Sequence, residues 1–167
     1  MNEAEQIIRT LELEAHPEGG FFKEVYRSEG IIPNQVLPQN YTGDRNYVTS
    51  IYFLLTSDAF SAFHKINQEE TWHFYKGSAL MIHMINEAGM YSKALLGSSL
   101  QQDEHLQYTV PGGVWFAAEV LEKNSFALVG CTVAPGFDFS DFELANREVL
   151  KNEYPDHAEI IHKFTRL

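Results

Sequence analysis

The sequence predicts an antiparallel β-sandwich or barrel, preceded by one short helix and followed by two small ones. Three observations carry this expectation. Between residues 21 and 133 the chain repeats short runs rich in Val, Ile, Tyr, Phe and Trp, residues that suit a pleated, half-buried surface. Turn residues such as Lys76-Gly77-Ser78, Pro111-Gly112-Gly113 and Glu122-Lys123-Asn124-Ser125 separate these runs. Helical spacing of apolar residues is confined to the two ends. Many short strands joined by hairpin turns define the sandwich and barrel class, and 167 residues suffice for one domain, 1–167, with its own core.

At the start, Ala4, Ile7, Ile8 and Leu11 share a helical face, and Asn2 followed three residues later by Glu5 matches a reciprocal N-terminal cap; a helix is expected over about residues 3–13. His16-Pro17-Glu18-Gly19-Gly20 stops it and leads tightly into the first strand. Strands are expected at 21–27, 48–55, 61–66, 71–75, 79–85, 91–96, 107–110, 114–121 and 126–133. Residues 28–46, with Pro33, Pro38 and Gly43, read as a long loop of the kind that covers a barrel mouth or joins a neighbouring subunit. After Pro135-Gly136 helical spacing returns at 147–153 and again from Pro155, where Ile160, Ile161 and Phe164 form an apolar stripe.

Composition narrows the function classes. With 12 Lys plus Arg against 23 Asp plus Glu, the formal charge of -11 repels nucleic acid and anionic membrane surfaces, so neither is an expected partner. No apolar run approaches the roughly 20 residues that span a bilayer, and the acidic start lacks the pattern of a signal peptide. Cys131 is the single cysteine, which fits a reducing compartment. A cytoplasmic location is expected. Cys131 itself reads as a small buried residue rather than a nucleophile.

The chemistry concentrates in His64-Lys65-Ile66-Asn67-Gln68-Glu69-Glu70-Thr71-Trp72-His73-Phe74-Tyr75-Lys76-Gly77 and in Pro111-Gly112-Gly113-Val114-Trp115-Phe116. The first stretch resembles the leading cupin motif at His64, Glu70 and Gly77, with Ile66 in place of its second His. The second resembles the other cupin motif, with Phe116 in place of its His. Together with His16-Pro17-Glu18-Gly19-Gly20, Ser50-Ile51-Tyr52-Phe53-Leu54-Leu55 and Ala134-Pro135-Gly136-Phe137-Asp138-Phe139, these stretches resemble the cupin 5 family, a former domain of unknown function described as predicted sugar epimerases. The resemblance covers nearly the whole chain. It implies an all-β double-stranded β-helix, or jelly roll, that forms a homodimer and binds a small molecule such as a sugar derivative. The comparison behind the family's description is with dTDP-4-dehydrorhamnose 3,5-epimerase, in which a base removes the proton beside a sugar ketone and an acid returns one.

Strand alternation supplies an independent drawing of the pocket. If His64 points inward, so does Ile66; Glu70 brings Trp72 and Phe74 inward, and Phe116 lies on the same inner surface. An apolar cup holding one imidazole and one carboxylate is what a small-molecule site looks like. Two of the four usual metal ligands are missing, so no metal and no cofactor is expected; only a bulge could turn His73 inward or bring His83 near. His64 and Glu70 suit proton transfer, with His64 as base and a tyrosine, Tyr52, Tyr26 or Tyr75, as the opposing phenol. Tyr52 is retained with His64 and Glu70 as the catalytic set. Trp72, Phe74, Phe116 and Ile66 are candidate ligand contacts or core residues. His73 is a candidate ligand contact or a hydrogen-bonding group within a sheet. Glu18 is a candidate for reaching the pocket, and Arg45 for holding an anion or forming a surface ion pair. The expected function is carbohydrate epimerisation or isomerisation by proton abstraction next to a carbonyl, with a non-catalytic binding module as the alternative.

Overall fold

The computed structural model describes residues 2–166. Helix α1 (Glu3–Leu11) leads into β1 (Glu14–Ala15), β2 (Phe21–Arg27), β3 (Ile31–Ile32), β4 (Arg45–Asn46), β5 (Thr49–Thr56), β6 (Phe60–Lys65) and β7 (Glu69–Gly77). Strands β8 (Leu80–Ile85), β9 (Tyr91–Leu96), β10 (Gln107–Val110), β11 (Trp115–Val120), β12 (Phe126–Ala134) and β13 (Glu143–Leu144) follow, and helices α2 (Arg147–Glu153) and α3 (Ala158–Lys163) close the chain.

The strands form a six-stranded sheet in the order β1-β2-β5-β12-β7-β10 and a five-stranded sheet in the order β13-β6-β11-β8-β9, antiparallel throughout. From β5 to β8 the chain crosses between sheets at every step, which produces the double-stranded β-helix, or jelly roll. Alternation then decides three apolar layers. Inward residues, among them Phe53, Leu55, Trp72, Ile82, Phe116 and Val129, fill the space between the sheets. On the outer face of the five-stranded sheet, Phe63, Ile85, Trp115 and Ala117 pack against Leu150 of α2 and Ile161 of α3. On the outer face of the six-stranded sheet, Leu54 and Phe126 pack beneath α1 at Ala4, with Ile7, Ile8 and Leu11 alongside.

Two expected elements differ from those formed. Helix α1 begins with the expected reciprocal cap, Glu5 N–H donating to Asn2 Oδ1 at 2.8 Å and Asn2 N–H to Glu5 Oε2 at 3.0 Å. It stops at Leu11 rather than near residue 13, because Glu12 turns left-handed at φ 54° and Leu13 N–H closes on Ile8 O. The long loop 28–46 is not wholly irregular. Its ends pair as the β3–β4 ribbon, Ile31 opposite Asn46 and Ile32 opposite Arg45.

Candidate functional site

At one end of the barrel a cavity of about 320 Å³ opens between the two sheets. Strand β6 contributes His64, β7 contributes Glu70 and Trp72, and β12 contributes Cys131; the turn at His16–Glu18 and the strap carrying Phe137, Phe139 and Phe142 complete the wall. The turn is compact because Gly19, at φ 115°, passes so close to β6 that a Cβ would meet Phe60 O. Glu18 O accepts from Ala62 N–H at 2.8 Å, which locks the turn to β6 and drives the Glu18 side chain inward.

Glu18 and His64 are both buried and touch directly, His64 Nε2 lying 2.9 Å from Glu18 Oε2. Ser61 Oγ donates to Glu18 Oε1 at 2.7 Å. The other ring nitrogen of His64, Nδ1, lies 2.7 Å from Ala62 O. A carbonyl only accepts, so Nδ1 carries a proton, and the Nε2 contact with a carboxylate must hold another. Burial alone lowers the His64 pKa, but the charge and hydrogen bond of Glu18 outweigh it and hold the value above the ordinary one. Burial likewise opposes the ionisation of Glu18, and His64, His16 and Ser61 outweigh it, leaving the carboxyl below its ordinary range. The pair is therefore an imidazolium facing a carboxylate.

Glu70 sits beside this pair without a cation of its own. Burial, and next the negative charge of Glu18, raise its pKa to about 7, while His64 and a hydrogen bond with Cys131 pull the other way. The Cys131 thiol is itself pushed well up by burial and by the two carboxyls, so it stays protonated. His16 accepts from Glu18 N–H at its Nδ1, 3.2 Å away, and sits edge-on to Phe22 with ring centres 4.6 Å apart. Burial lowers its pKa, which keeps it neutral.

Of the residues singled out from sequence, His64, Glu70, Trp72, Ile66 and Glu18 line the cavity. Phe116 stands opposite His64 in the β11–β6 ladder and packs under its ring at 4.1 Å. Phe74 points inward but packs in the core away from the cavity lining. The expectations for Tyr52 and Arg45 are corrected, and His73 takes the second of its two readings, a hydrogen bond within the sheet. Tyr52 lies outside: in β5 the inward residues are Ile51, Phe53 and Leu55, so Tyr52 faces the α1 layer, with Tyr75 at 6.1 Å between ring centres. Tyr26 and Tyr75 are exposed, and no tyrosine lines the cavity among the described residues. His73 faces away from Trp72 on β7, its Nε2 lying 3.2 Å from Thr132 Oγ1. Arg45 is buried against Asp141, Nη2 to Oδ1 at 2.6 Å and Nε to Oδ2 at 2.7 Å, and holds neither a surface pair nor a cavity position.

Sequence reading singles out neither His16, which reads as part of a helix stop, nor the Phe137–Phe142 strap as site residues. The signal for both is their place in the family-like stretches His16–Gly20 and Ala134–Phe139, which assign no role to a single residue. As for the metal that many cupins hold, the residues present do not fit one. Ile66 and Phe116 occupy two of the ligand positions, both His64 nitrogens are engaged, and no group of three or more His, Cys, Asp or Glu is placed to hold an ion among the described residues.

The model of the cupin superfamily family Cupin_5 (DUF985) matches residues 5–145. The chain belongs to this family. A curated relative, the uncharacterized protein YML079W of Saccharomyces cerevisiae, is 32% identical over 146 residues, covering 82% of this chain and 72% of the relative. Among solved structures, protein SO0799 from Shewanella oneidensis superposes with a TM-score of 0.87 at 40% identity, covering 99% of each chain. A hypothetical protein from Leishmania major superposes with a TM-score of 0.90 at 34% identity, covering 99% of this chain and all of its own. Oxalate decarboxylase from Bacillus subtilis, at 15% identity and a TM-score of 0.54, matches over 36% of its length and shares the fold alone. The jelly roll and the cupin assignment thus rest on sequence and structure together. No helix of the described residues is long and apolar enough to cross a membrane.

Proposed function

We propose that this cupin binds a small carbohydrate derivative and moves a proton on the carbon next to its carbonyl, as an epimerase or isomerase. The observation that carries this reading is Glu70, a carboxyl buried in a mostly apolar cavity whose pKa of about 7 leaves both of its forms populated near neutrality. A general acid–base group works best with its pKa near the working pH. In the carboxylate form Glu70 takes the proton, the C–H electron pair becomes the new C=C bond, and the carbonyl π pair moves onto oxygen. The His64 imidazolium supplies positive charge beside the enolate. Return of the proton to carbon restores the carbonyl. This assignment moves the base from His64 to Glu70, because His64 has no free lone pair while it holds Glu18.

The second reading, a binding module without turnover, is favoured by one observation: among the described residues no tyrosine lines the cavity to act from the far side of a sugar ring. Solvent deuterium exchange into a panel of keto sugars separates the two. Wild-type protein should wash deuterium into the position beside the carbonyl, and Glu70→Gln should slow this by about 10² to 10⁴-fold while still binding. Binding without exchange by wild-type protein across the panel would leave the binding module. We also propose that the chain is a homodimer, on the strength of an exposed apolar strip along β2 and the β3–β4 ribbon, at Val25, Tyr26, Ile31 and Tyr47. Trp115 contributes to no such face, because α2 and α3 cover it.

A further inference from the structure

Trp72 is 1% exposed and lines the cavity, and its indole Nε1 is buried with no hydrogen-bond partner among the described residues. Its ring is fixed by edge-on contacts with Phe53 at 5.6 Å and Phe116 at 6.2 Å. A buried N–H without an acceptor is rare in folded proteins, because losing its water costs more than packing returns. Phenyl rings flank the indole on two sides, and Trp72 is among the residues that line the cavity. We infer that the missing acceptor is a ligand oxygen, and that the cavity takes an uncharged carbonyl compound whose oxygen receives the Trp72 Nε1–H.

Charge decides that the oxygen belongs to a neutral group. Among the described residues four carboxyl side chains line the cavity, Glu18, Glu24, Glu70 and Asp138, and its cations are already engaged. His64 holds Glu18, while Arg27 holds Glu24 with Nη2 at 2.7 Å, Asn46 with Nη1 at 2.8 Å and Phe137 O with Nη2 at 3.0 Å. A carboxylate or phosphate entering this space would meet carboxylates with no free cation to offset them. A ketone asks only for a neutral donor. Trp72 and Glu70 are two residues apart on β7 and share its inward face, so an oxygen held at Trp72 brings its neighbouring carbons to the wall that carries Glu70. The inference rests on this cavity being the ligand site of the proposed function, but it does not require turnover.

The test follows the two indole N–H signals of uniformly ¹⁵N-labelled full-length protein, assigned to Trp72 and Trp115 with the Trp115→Phe variant. Three probes of one ring size are titrated: cyclohexanone, methylenecyclohexane, which replaces the oxygen by CH₂, and cyclohexanecarboxylate. Cyclohexanone should move the Trp72 signal downfield, methylenecyclohexane should not, and the carboxylate should bind at least tenfold more weakly than the ketone. In Trp72→Phe the preference for ketone over its CH₂ analogue should fall about tenfold, the value of one hydrogen bond. A Trp72 signal that stays put while cyclohexanone occupies the cavity overturns the inference, as does a long-lived water on Nε1 that the ketone fails to displace, or binding by none of the probes. Ketone binding with the expected shift but no solvent exchange would instead sink the proton-transfer reading and leave this one standing.

Discussion

Glu70 couples proton binding to stability in a direction opposite to most carboxyls. Its folded pKa, about 7, lies above the 4.5 of the unfolded chain, so between those values the folded state holds a proton that the unfolded state has released. Its contribution to stability is therefore full at low pH and is lost as pH rises from 4.5 to 7. Glu18 runs the other way: its lowered pKa contributes stability above the ordinary carboxyl range that is lost in acid. The difference in unfolding free energy between wild type and Glu70→Gln, read by denaturant titration, should fall by on the order of 3 kcal/mol across that window. A pH-independent difference would show that Glu70 titrates normally. Removing charge from Glu18 has a different outcome. Glu18→Gln leaves the His64 imidazolium buried without its anion, and should cost on the order of 3 kcal/mol while dropping the His64 pKa, followed by its ring proton signals in an NMR titration.

At the scale of elements, the cavity wall depends on a strap that has little regular structure. Residues 137–142 carry Phe137, Phe139 and Phe142 over the cavity, and the strap is anchored from three places. Arg45 of β4 grips Asp141, Gln68 Nε2 donates to Asp141 Oδ2 at 2.7 Å, and Thr49 Oγ1 of β5 accepts from Phe137 N–H at 2.9 Å. The β3–β4 ribbon thus places Arg45 where it serves as a buttress. Asp141→Asn breaks a buried pair and leaves the Arg45 charge uncompensated, so a loss of about 3–5 kcal/mol is expected. Amide exchange at Phe142, whose N–H bonds Phe139 O, should quicken more than exchange in β12. Equal acceleration in both would mean that the strap does not open separately from the sheet.

For the whole molecule, β2 is one of the open edges, β9 and β10 being others. Strand β1 pairs with it only at Phe21 and Phe22, and the rest of its outer side is left without a strand partner among the described residues. A register shift between Glu24 and Tyr26 breaks its regularity, and Val25 and Tyr26 are exposed. Light scattering at micromolar concentration should give about twice the chain mass of 19.1 kDa, and Tyr26→Asp should shift the population towards the single chain. A monomer mass for wild type would refute the dimer.

All strands but the two-residue β1, β3, β4 and β13 were legible in the sequence, and β2, β9 and β10 match their expected bounds residue for residue, because period-two alternation and turn chemistry act locally. The same parity placed His64, Ile66, Glu70 and Trp72 on one inner surface and kept His73 off it. What alternation does not encode is who faces whom. Glu18 reaches His64 only because a glycine turn docks on β6, Arg45 is consumed by a residue 96 positions away, and Tyr52 falls on the outer side of a strand whose inward set depends on where the second sheet lies. The ionisation of Glu70 depends on the same long-range placement, since its pKa is set by burial and by the charge of Glu18, neither of which exists until the two sheets close over them.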